Sequence, residues 1–272
     1  MGVRRELRKV GKLFGRSEST ATAIPNERLG YDGEADALLA IPRVRSRTMV
    51  AHASLLSLWA QIRHCELKGL PGAYVECGVW KGGVGGLMAL ANMAYGADRR
   101  PIHLFDIFDD ICEPDPAVDG ERALTEVEQF AGRSRASLSG KMQPLSGVYD
   151  HIGGPGDAEA VQKFVAEELG YGTDFTRIHK GWFEDTVPIV TIGPIAILRL
   201  DGDWYASTKL CLDHLYDAVV PGGFVIVDDY GTYEGCRKAV DEFLAMQPEQ
   251  PFLNYVTADV RYWIKPAGAS LA

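Results

Sequence analysis

Apolar strands alternate with amphipathic helices along most of this chain, and this alternation restricts its fold more than any other feature. Residues 194–200 and 224–227 are almost continuously apolar, without the every-second-residue pattern of a half-exposed strand. Between them, Leu212, Leu215 and Val219 recur at helical spacing. Strands buried on both faces belong to parallel sheets that helices cover on both sides. The sequence therefore predicts a doubly wound α/β fold with a mostly parallel sheet.

The C-terminal strands depart from this parallel arrangement. Strands predicted at 252–256 and 260–264 are joined by a very short loop, which indicates an antiparallel hairpin at one edge of the sheet. The length of 272 residues gives a prior of about two domains. Because one α/β pattern runs through the chain, we expect a single domain over 35–272, preceded by a basic arm and linker over 1–34.

The predicted arm differs in charge from the rest of the protein. Residues 1–16 contain six basic residues and one acidic residue, whereas the whole chain has a net charge of −9. Apolar residues in the arm recur at helical spacing, at Val3, Leu7, Val10 and Phe14. Two interpretations stay open: the arm docks on the same or a neighbouring subunit, or it binds weakly to an acidic membrane surface.

Composition excludes several classes of protein. The excess of acidic residues, 37 against 28 basic ones, argues against a protein that coats nucleic acid. No run approaches the ~18 apolar residues of a transmembrane segment, and the N-terminus lacks the apolar core of a secretion signal. The five cysteines are scattered and form no C-x-x-C motif, which is typical of reduced thiols. We therefore expect a cytoplasmic protein.

Carboxylates follow two consecutive buried strands of the predicted sheet. Asp201 and Asp203 come after strand 194–200, and Asp228 and Asp229 come after strand 224–227. Ligands of such sheets bind outside the carboxyl ends of the strands, so these side chains converge at the binding edge. Clustered anions repel one another unless a cation lies among them, and oxygen ligands favour Mg²⁺ or Mn²⁺ over zinc. The alternative is that these acids cap the following helices in solvent.

A glycine-rich turn follows the first predicted strand. Gly78 and Gly82 belong to this turn, where small residues let a ligand approach the backbone at the start of a helix. Asp106 ends the next strand, a position that accepts hydrogen bonds from ribose hydroxyls in nucleotide-binding folds. The spacing departs from the dinucleotide fingerprint, so it favours a nucleoside over a bound pyrophosphate. Alternatively, the glycines only allow tight packing of helix on strand.

Several segments resemble the macrocin O-methyltransferase (TylF) family. They lie at 74–83 (YVECGVWKGG), 181–188 (GWFEDTVP), 200–208 (LDGDWYAST), 221–230 (PGGFVIVDDY) and 235–240 (GCRKAV). The resemblance runs in order from Thr48 to Ile264. It implies a Rossmann-like class I methyltransferase fold and an enzyme that uses S-adenosylmethionine and Mg²⁺. Such enzymes methylate a hydroxyl, usually on a sugar or phenol of a bacterial natural product.

The resemblance also implies roles for individual residues. Those that would contact S-adenosylmethionine are Thr48, Met49, Glu76, Gly78, Val79, Gly82, Asp106, Gly181, Trp182, Phe183 and Asp201. Within that set, Glu76 and the glycine turn would hold the methionine end, Asp106 the ribose, and 181–183 the adenine. The metal ligands would be Asp201, Asp228 and Asp229, with Mg²⁺ expected and Mn²⁺ as a substitute.

Transfer to a hydroxyl requires a group that accepts its proton, and an acidic residue beside the metal suits that role. Asp201 is our first choice for this catalytic base and Asp203 the second. We expect residues 109–157 to form a substrate lid over a small hydroxylated acceptor, glycosylated or phenolic, and the protein to form a homo-oligomer. Two other functions stay open: an NAD-dependent oxidoreductase, disfavoured by the missing fingerprint, and a non-catalytic binding protein that kept the fold.

Overall fold

The computed structural model of the chain describes residues 34–138, 140 and 143–267. Within them, a seven-stranded sheet has the order β3-β2-β1-β4-β5-β7-β6. Strands β1 to β5 are parallel, and β7 runs antiparallel to both β5 and β6. The predicted doubly wound sheet with a C-terminal antiparallel hairpin is confirmed. The strands are β1 Ala73–Cys77, β2 Ile102–Asp106, β3 Thr176–Lys180, β4 Ile195–Leu200, β5 Val219–Val227, β6 Asn254–Tyr255 and β7 Arg261–Ile264.

Helices cover both faces of this sheet. One face packs against α1, α2 and α3 through residues such as Ile197 and Ile226, and the other packs against α7 and α8 through Leu198 and Val225. Short π-helical segments extend α4 and α5. In the described part of the chain, no helix is both long and apolar enough to cross a bilayer. The helices are α1 Glu34–Val44, α2 His52–Lys68, α3 Gly83–Tyr95, α4 Gly120–Glu126, α5 Ala158–Gln162, α6 Phe183–Thr186, α7 Tyr205–Leu215 and α8 Glu234–Ala245.

Backbone hydrogen bonds continue beyond the strands and bring their exits together. The amide of Asp201 donates to the carbonyl of Cys77 at 2.8 Å, and the amide of Asp228 donates to that of Leu200 at 2.9 Å. On the other side of β1, the amide of Gly78 donates to the carbonyl of Phe105 at 2.9 Å. The residues that follow β1, β4 and β5 are therefore neighbours at one edge of the sheet.

The N-terminal part of the prediction needs one correction. The sequence predicts a linker that ends at residue 34 and no element between residues 35 and 47, yet α1 occupies Glu34–Val44. Its buried residues Ala37, Ile41 and Val44 have helical spacing, a signal that the sequence carried. The predicted arm over 1–34 lies outside the described residues, apart from Glu34.

Candidate functional site

Two cavities open at the carboxyl edge of the sheet. The glycine-turn cavity has a volume of about 130 Å³, and the carboxylate cavity has a volume of about 390 Å³. They share a wall that includes Asp201 and Asp203. The predicted site residues that line the glycine-turn cavity are Met49, Gly78, Val79, Asp106, Gly181, Trp182, Phe183, Asp201 and Asp203. Those that line the carboxylate cavity are Thr48, Met49, Glu76, Val79, Asp201, Asp203, Asp228 and Asp229.

The turn after β1 approaches the exit of β4 very closely. Gly78 has a φ of 90°, in the region that favours glycine. A Cβ atom there would lie 1.8 Å from the carbonyl oxygen of Asp201. The absence of a side chain at Gly78 therefore lets the glycine turn and the carboxylate-bearing loop share one cavity edge.

Asp106 holds this turn in place. One carboxylate oxygen accepts the amides of Val79 at 2.6 Å and Trp80 at 2.9 Å, and the other accepts the amide of Phe108 at 2.5 Å. Burial raises the pKa of Asp106, while these hydrogen bonds act in the opposite direction. Asp106 also lines the glycine-turn cavity. Its contact with a ribose stays a prediction.

Gly82, the second glycine of the turn, lies away from both cavities. It precedes α3 with a φ of 81°. A Cβ atom at this position would lie 2.7 Å from Cγ1 of Val161, near the start of the α5 region. Gly82 thus packs against a neighbouring helix, which differs from the packing of helix on strand given above as the alternative, and its contact with the cofactor stays a prediction.

Three strand exits at this edge contain strained backbone. Among the described residues, the non-glycine residues with positive φ are Trp80 at 50°, Phe108 at 55° and Asp203 at 58°. They follow β1, β2 and β4 respectively, within three residues of each strand. Left-handed backbone costs such residues about 1–2 kcal/mol and is concentrated at functional sites. The strain marks the same edge of the sheet as the two cavities.

The acidic side chains converge as the strand ends predicted. Asp201, Asp228 and Asp229 each offer one oxygen, and these oxygens lie within 4.8 Å of one another. Burial, followed by repulsion from neighbouring carboxylates, raises the pKa values of Asp203 and Asp229 well above their usual range. A divalent cation would favour the ionised forms, and an all-oxygen donor set suits Mg²⁺ or Mn²⁺. The residues present therefore fit such a cation.

Arg199 lies beneath this cluster, a residue to which the sequence patterns assign no role. Its side chain is 3% exposed, and its Nη1 donates to Glu76 Oε1 at 2.9 Å and to Asp201 Oδ2 at 2.8 Å. Its Nη2 forms an ion pair with Asp228 Oδ1 at 2.8 Å, although the angle is outside hydrogen-bond geometry. A lone charged residue inside an apolar central strand was the signal that could have identified it.

Glu76 has one oxygen bound to Arg199 and one without a partner. The residue is 1% exposed, and among the described residues no group forms a hydrogen bond with its buried Oε2. Burial raises the pKa of Glu76 to about 8, with Arg199 opposing this effect. A buried acceptor without a donor costs free energy. Glu76 also lines the carboxylate cavity, so it fits the positively charged amino group at the methionine end of S-adenosylmethionine.

Residues 109–157, which we expect to form a lid, contact the surroundings of the site at two places. Toward the glycine turn, Trp80 Nε1 donates to the carbonyl of Gly154 at 3.1 Å, and Lys81 Nζ donates to that of Gly153 at 2.8 Å. Toward the carboxylate loop, Asp119 Oδ1 accepts the amide of Tyr205 at 2.8 Å. The segment thus contacts the glycine turn and the first residue of α7.

Further residues line the glycine-turn cavity that the sequence analysis did not single out. They are Trp80, Ile107, Asp109, Ile111, Cys112, Tyr149, Gly202 and Ser207. Tyr149 is brought there by Asp110, whose carboxylate accepts the amides of Gly147 at 2.8 Å and Tyr149 at 3.1 Å. This placement depends on residues almost forty positions apart, so no local sequence pattern could have shown it.

Comparisons with known proteins agree with this geometry. The family described as Macrocin-O-methyltransferase (TylF) matches residues 12–139 and 158–265. The chain is 32% identical over 226 residues to a tetracenomycin rhamnosyl 4'-O-methyltransferase of Streptomyces olivaceus, which spans 80% of this chain and 77% of that protein. It is 34% identical to demethyldecarbamoylnovobiocin O-methyltransferase of Streptomyces niveus, over 71% of this chain and 66% of that protein.

A solved structure shows the same fold. The O-methyltransferase NovP superposes with a TM-score of 0.63 at 30% sequence identity, over 81% of this chain and 82% of that one.

Proposed function

The chain belongs to the macrocin O-methyltransferase (TylF) family and is an S-adenosylmethionine-dependent O-methyltransferase, and we propose that it methylates a sugar or phenol hydroxyl of a small natural product. The relatives named above act on such molecules, a rhamnosyl tetracenomycin and a novobiocin precursor. The observation that carries the proposal is the wall containing Asp201 and Asp203, which the two cavities share. A cofactor on one side and an acceptor on the other would meet at these carboxylates.

In this proposal the glycine-turn cavity receives the cofactor. Gly78 lets it approach the backbone, Asp106 faces its ribose, and residues 181–183 flank its adenine. Glu76 lines the carboxylate cavity on the other side of the shared wall, and its unpartnered Oε2 would accept a hydrogen bond from the amino group of the methionine end. The transferred methyl group comes from the sulfonium of S-adenosylmethionine, which leaves as a neutral thioether while the acceptor oxygen forms the new bond to carbon.

Asp201, Asp228 and Asp229 would hold the divalent cation in the carboxylate cavity. The chemistry that such a cation would supply is a lower pKa and a fixed orientation for the acceptor hydroxyl. The proton of that hydroxyl moves to a carboxylate oxygen of Asp201, which faces both cavities. Asp203 is the second choice for this step, because it faces the same two cavities.

Methyl transfer to a panel of acceptors tests this proposal. Purified protein is incubated with S-adenosylmethionine, Mg²⁺ and hydroxylated sugars, phenols or glycosylated natural products, and mass spectrometry detects the gain of one methyl group. We expect EDTA and Asp201→Ala each to abolish the gain. The control Asp213→Ala, which removes only an exposed ion pair with Lys209, keeps full activity. Turnover that persists after both EDTA treatment and Asp201→Ala would refute the metal-assisted mechanism.

The assembly state is a separate part of the proposal. We expect a homo-oligomer, and light scattering of the purified full chain measures its mass directly. A monomer at micromolar concentration would contradict this expectation without affecting the proposed chemistry.

A further inference from the structure

Arg199 occupies an unusual position for a charged residue. It lies inside β4, in the middle of the parallel part of the sheet, where its register partner on β1 is Glu76 and its partner on β5 is Ile226. Asp201 lies two residues beyond it on its own chain, and Asp228 lies two residues beyond Ile226. One guanidinium therefore faces carboxylates that come from, or directly follow, three neighbouring strands.

The contacts divide the oxygens of these carboxylates into two sets. Arg199 contacts Asp201 through Oδ2 and Asp228 through Oδ1, each at 2.8 Å. Among the described residues, no donor forms a hydrogen bond with the second oxygen of either aspartate. Asp201 is thus held at one oxygen by a hydrogen bond and Asp228 at one oxygen by an ion pair, which leaves a second oxygen of each for a ligand.

We propose that Arg199 is a positioning residue, which fixes Asp201 and Asp228 for the cation and Glu76 for the cofactor. This inference rests on the proposed function, because it assigns the free oxygens to those two ligands. A planar guanidinium presents several donors in a fixed arrangement, whereas an ammonium is a single point charge. Arg199 contacts the three carboxylates through two separate nitrogens, and the single nitrogen of a lysine ammonium cannot occupy both positions.

The positive charge of Arg199 and its proposed role in orienting carboxylates have opposite consequences for cation affinity when the residue is removed. A positive charge beside a cation site repels the cation, so charge alone predicts tighter cation binding when Arg199 is removed. If Arg199 instead positions the carboxylates, its removal weakens cation binding, because the freed carboxylates reorient and repel each other. Residues that orient metal ligands typically change metal affinity by about 10–100-fold when replaced. The direction of the change therefore decides between the two roles.

A second buried ion pair supplies a matched control. Arg100 Nε contacts Glu66 Oε1 at 2.8 Å, and the two side chains are 14% and 5% exposed. Arg100 precedes β2 and also donates to the carbonyls of Leu70 and Gly72, ahead of β1. It therefore lies at the opposite edge of the sheet from the site. Arg100→Lys reproduces the loss of a buried guanidinium without touching the proposed ligands.

The experiment measures ligand binding rather than turnover. Mn²⁺ affinity is determined by electron paramagnetic resonance, S-adenosylhomocysteine affinity by calorimetry, and thermal stability by the melting temperature. We expect Arg199→Lys to weaken Mn²⁺ binding about tenfold or more and to weaken S-adenosylhomocysteine binding as well. Arg100→Lys should leave both affinities within about threefold of wild type, even where its melting temperature falls by a similar amount.

A second variant covers the case in which Arg199→Lys does not fold. Glu76→Gln combined with Arg199→Met removes the guanidinium without leaving Glu76 as a buried carboxylate that has lost its partner, and Glu76→Gln alone is its reference. We expect this double variant to bind Mn²⁺ less tightly than Glu76→Gln alone. Equal or tighter Mn²⁺ binding by folded Arg199→Lys or by the double variant overturns the inference. Failure of the wild-type protein to bind Mn²⁺ instead refutes the proposed metal site.

Discussion

Gly78→Ala tests whether the close approach of two strand exits builds the site. The added Cβ atom would lie 1.8 Å from the carbonyl oxygen of Asp201, whereas a carbon and a carbonyl oxygen normally approach to about 3.3 Å. The two exits must therefore separate by about 1.5 Å. Because Asp201 carries the proposed metal ligand and base, this displacement acts directly on the chemistry.

The size of the effect has two parts. An alanine in the left-handed region costs about 1–2 kcal/mol of folding stability wherever it occurs. A displacement of about 1 Å in a catalytic group reduces the rate by about a hundredfold. We therefore expect Gly78→Ala to lower the melting temperature by more than the left-handed backbone alone would, because the backbone of both exits must move, and to lose about a hundredfold in kcat/KM. Mn²⁺ and S-adenosylhomocysteine should both bind less tightly.

Gly69→Ala separates these two parts. Gly69 also has a positive φ, 62°, but a Cβ atom there would have no atom within 4 Å. The control should show the stability loss alone, with kcat/KM within about threefold of wild type. If Gly78→Ala keeps the activity and the Mn²⁺ affinity of Gly69→Ala, the close approach does not position Asp201 and the reasoning is refuted.

Other predictions concern the carboxylates and the covering segment. Asp229→Asn should lower Mg²⁺-dependent turnover by about a hundredfold, and a Mn²⁺ titration checks that affinity falls with it. Burial raises the pKa of Asp228 from 3.8 to about 6, so the folded state binds this proton more tightly than the unfolded state does. In EDTA, the contribution of this group to stability should therefore decrease as the pH rises from about 4 to about 6. Asp228→Asn should reduce the pH dependence seen in thermal melts and leave the part due to Asp203 and Asp229, whose pKa values are also raised. Lys81→Met removes the hydrogen bond to the carbonyl of Gly153, so S-adenosylhomocysteine should bind several-fold more weakly and proteolysis near residue 153 should accelerate. The control Lys209→Met removes an exposed ion pair with Asp213 and should change neither quantity.

Much of the fold and part of the candidate site could be predicted from local patterns in the sequence. Uninterrupted apolar strands separated by helical periodicity specify a covered parallel sheet, because only helices on both faces bury such strands. Since parallel strands end at one edge, the positions of Asp201, Asp228 and Asp229 after their strands were enough to predict a convergent cluster, which the structure shows within 4.8 Å. The helix α1 was missed although its spacing was present in the sequence.

Interactions between distant residues could not be predicted in this way. Gly78 and Gly82 belong to the same glycine-rich turn in the sequence, which does not distinguish their surroundings. Only the tertiary packing shows that Gly78 faces Asp201 while Gly82 faces Val161. The position of Tyr149 depends on Asp110, far from it in sequence.

The amino-acid sequence by itself determined the alternating elements, the acidic strand ends and the family to which the chain belongs, because each depends on residues close together along the chain. The tertiary structure decided which charges meet. In the sequence, Arg199 is a single charged residue within an otherwise apolar strand. Only the pairing of β4 with β1 and β5 shows that it contacts three carboxylates. Burial makes these contacts strong, since charges removed from water must find partners within the protein. Strand order, which the sequence pattern leaves open, supplies those partners.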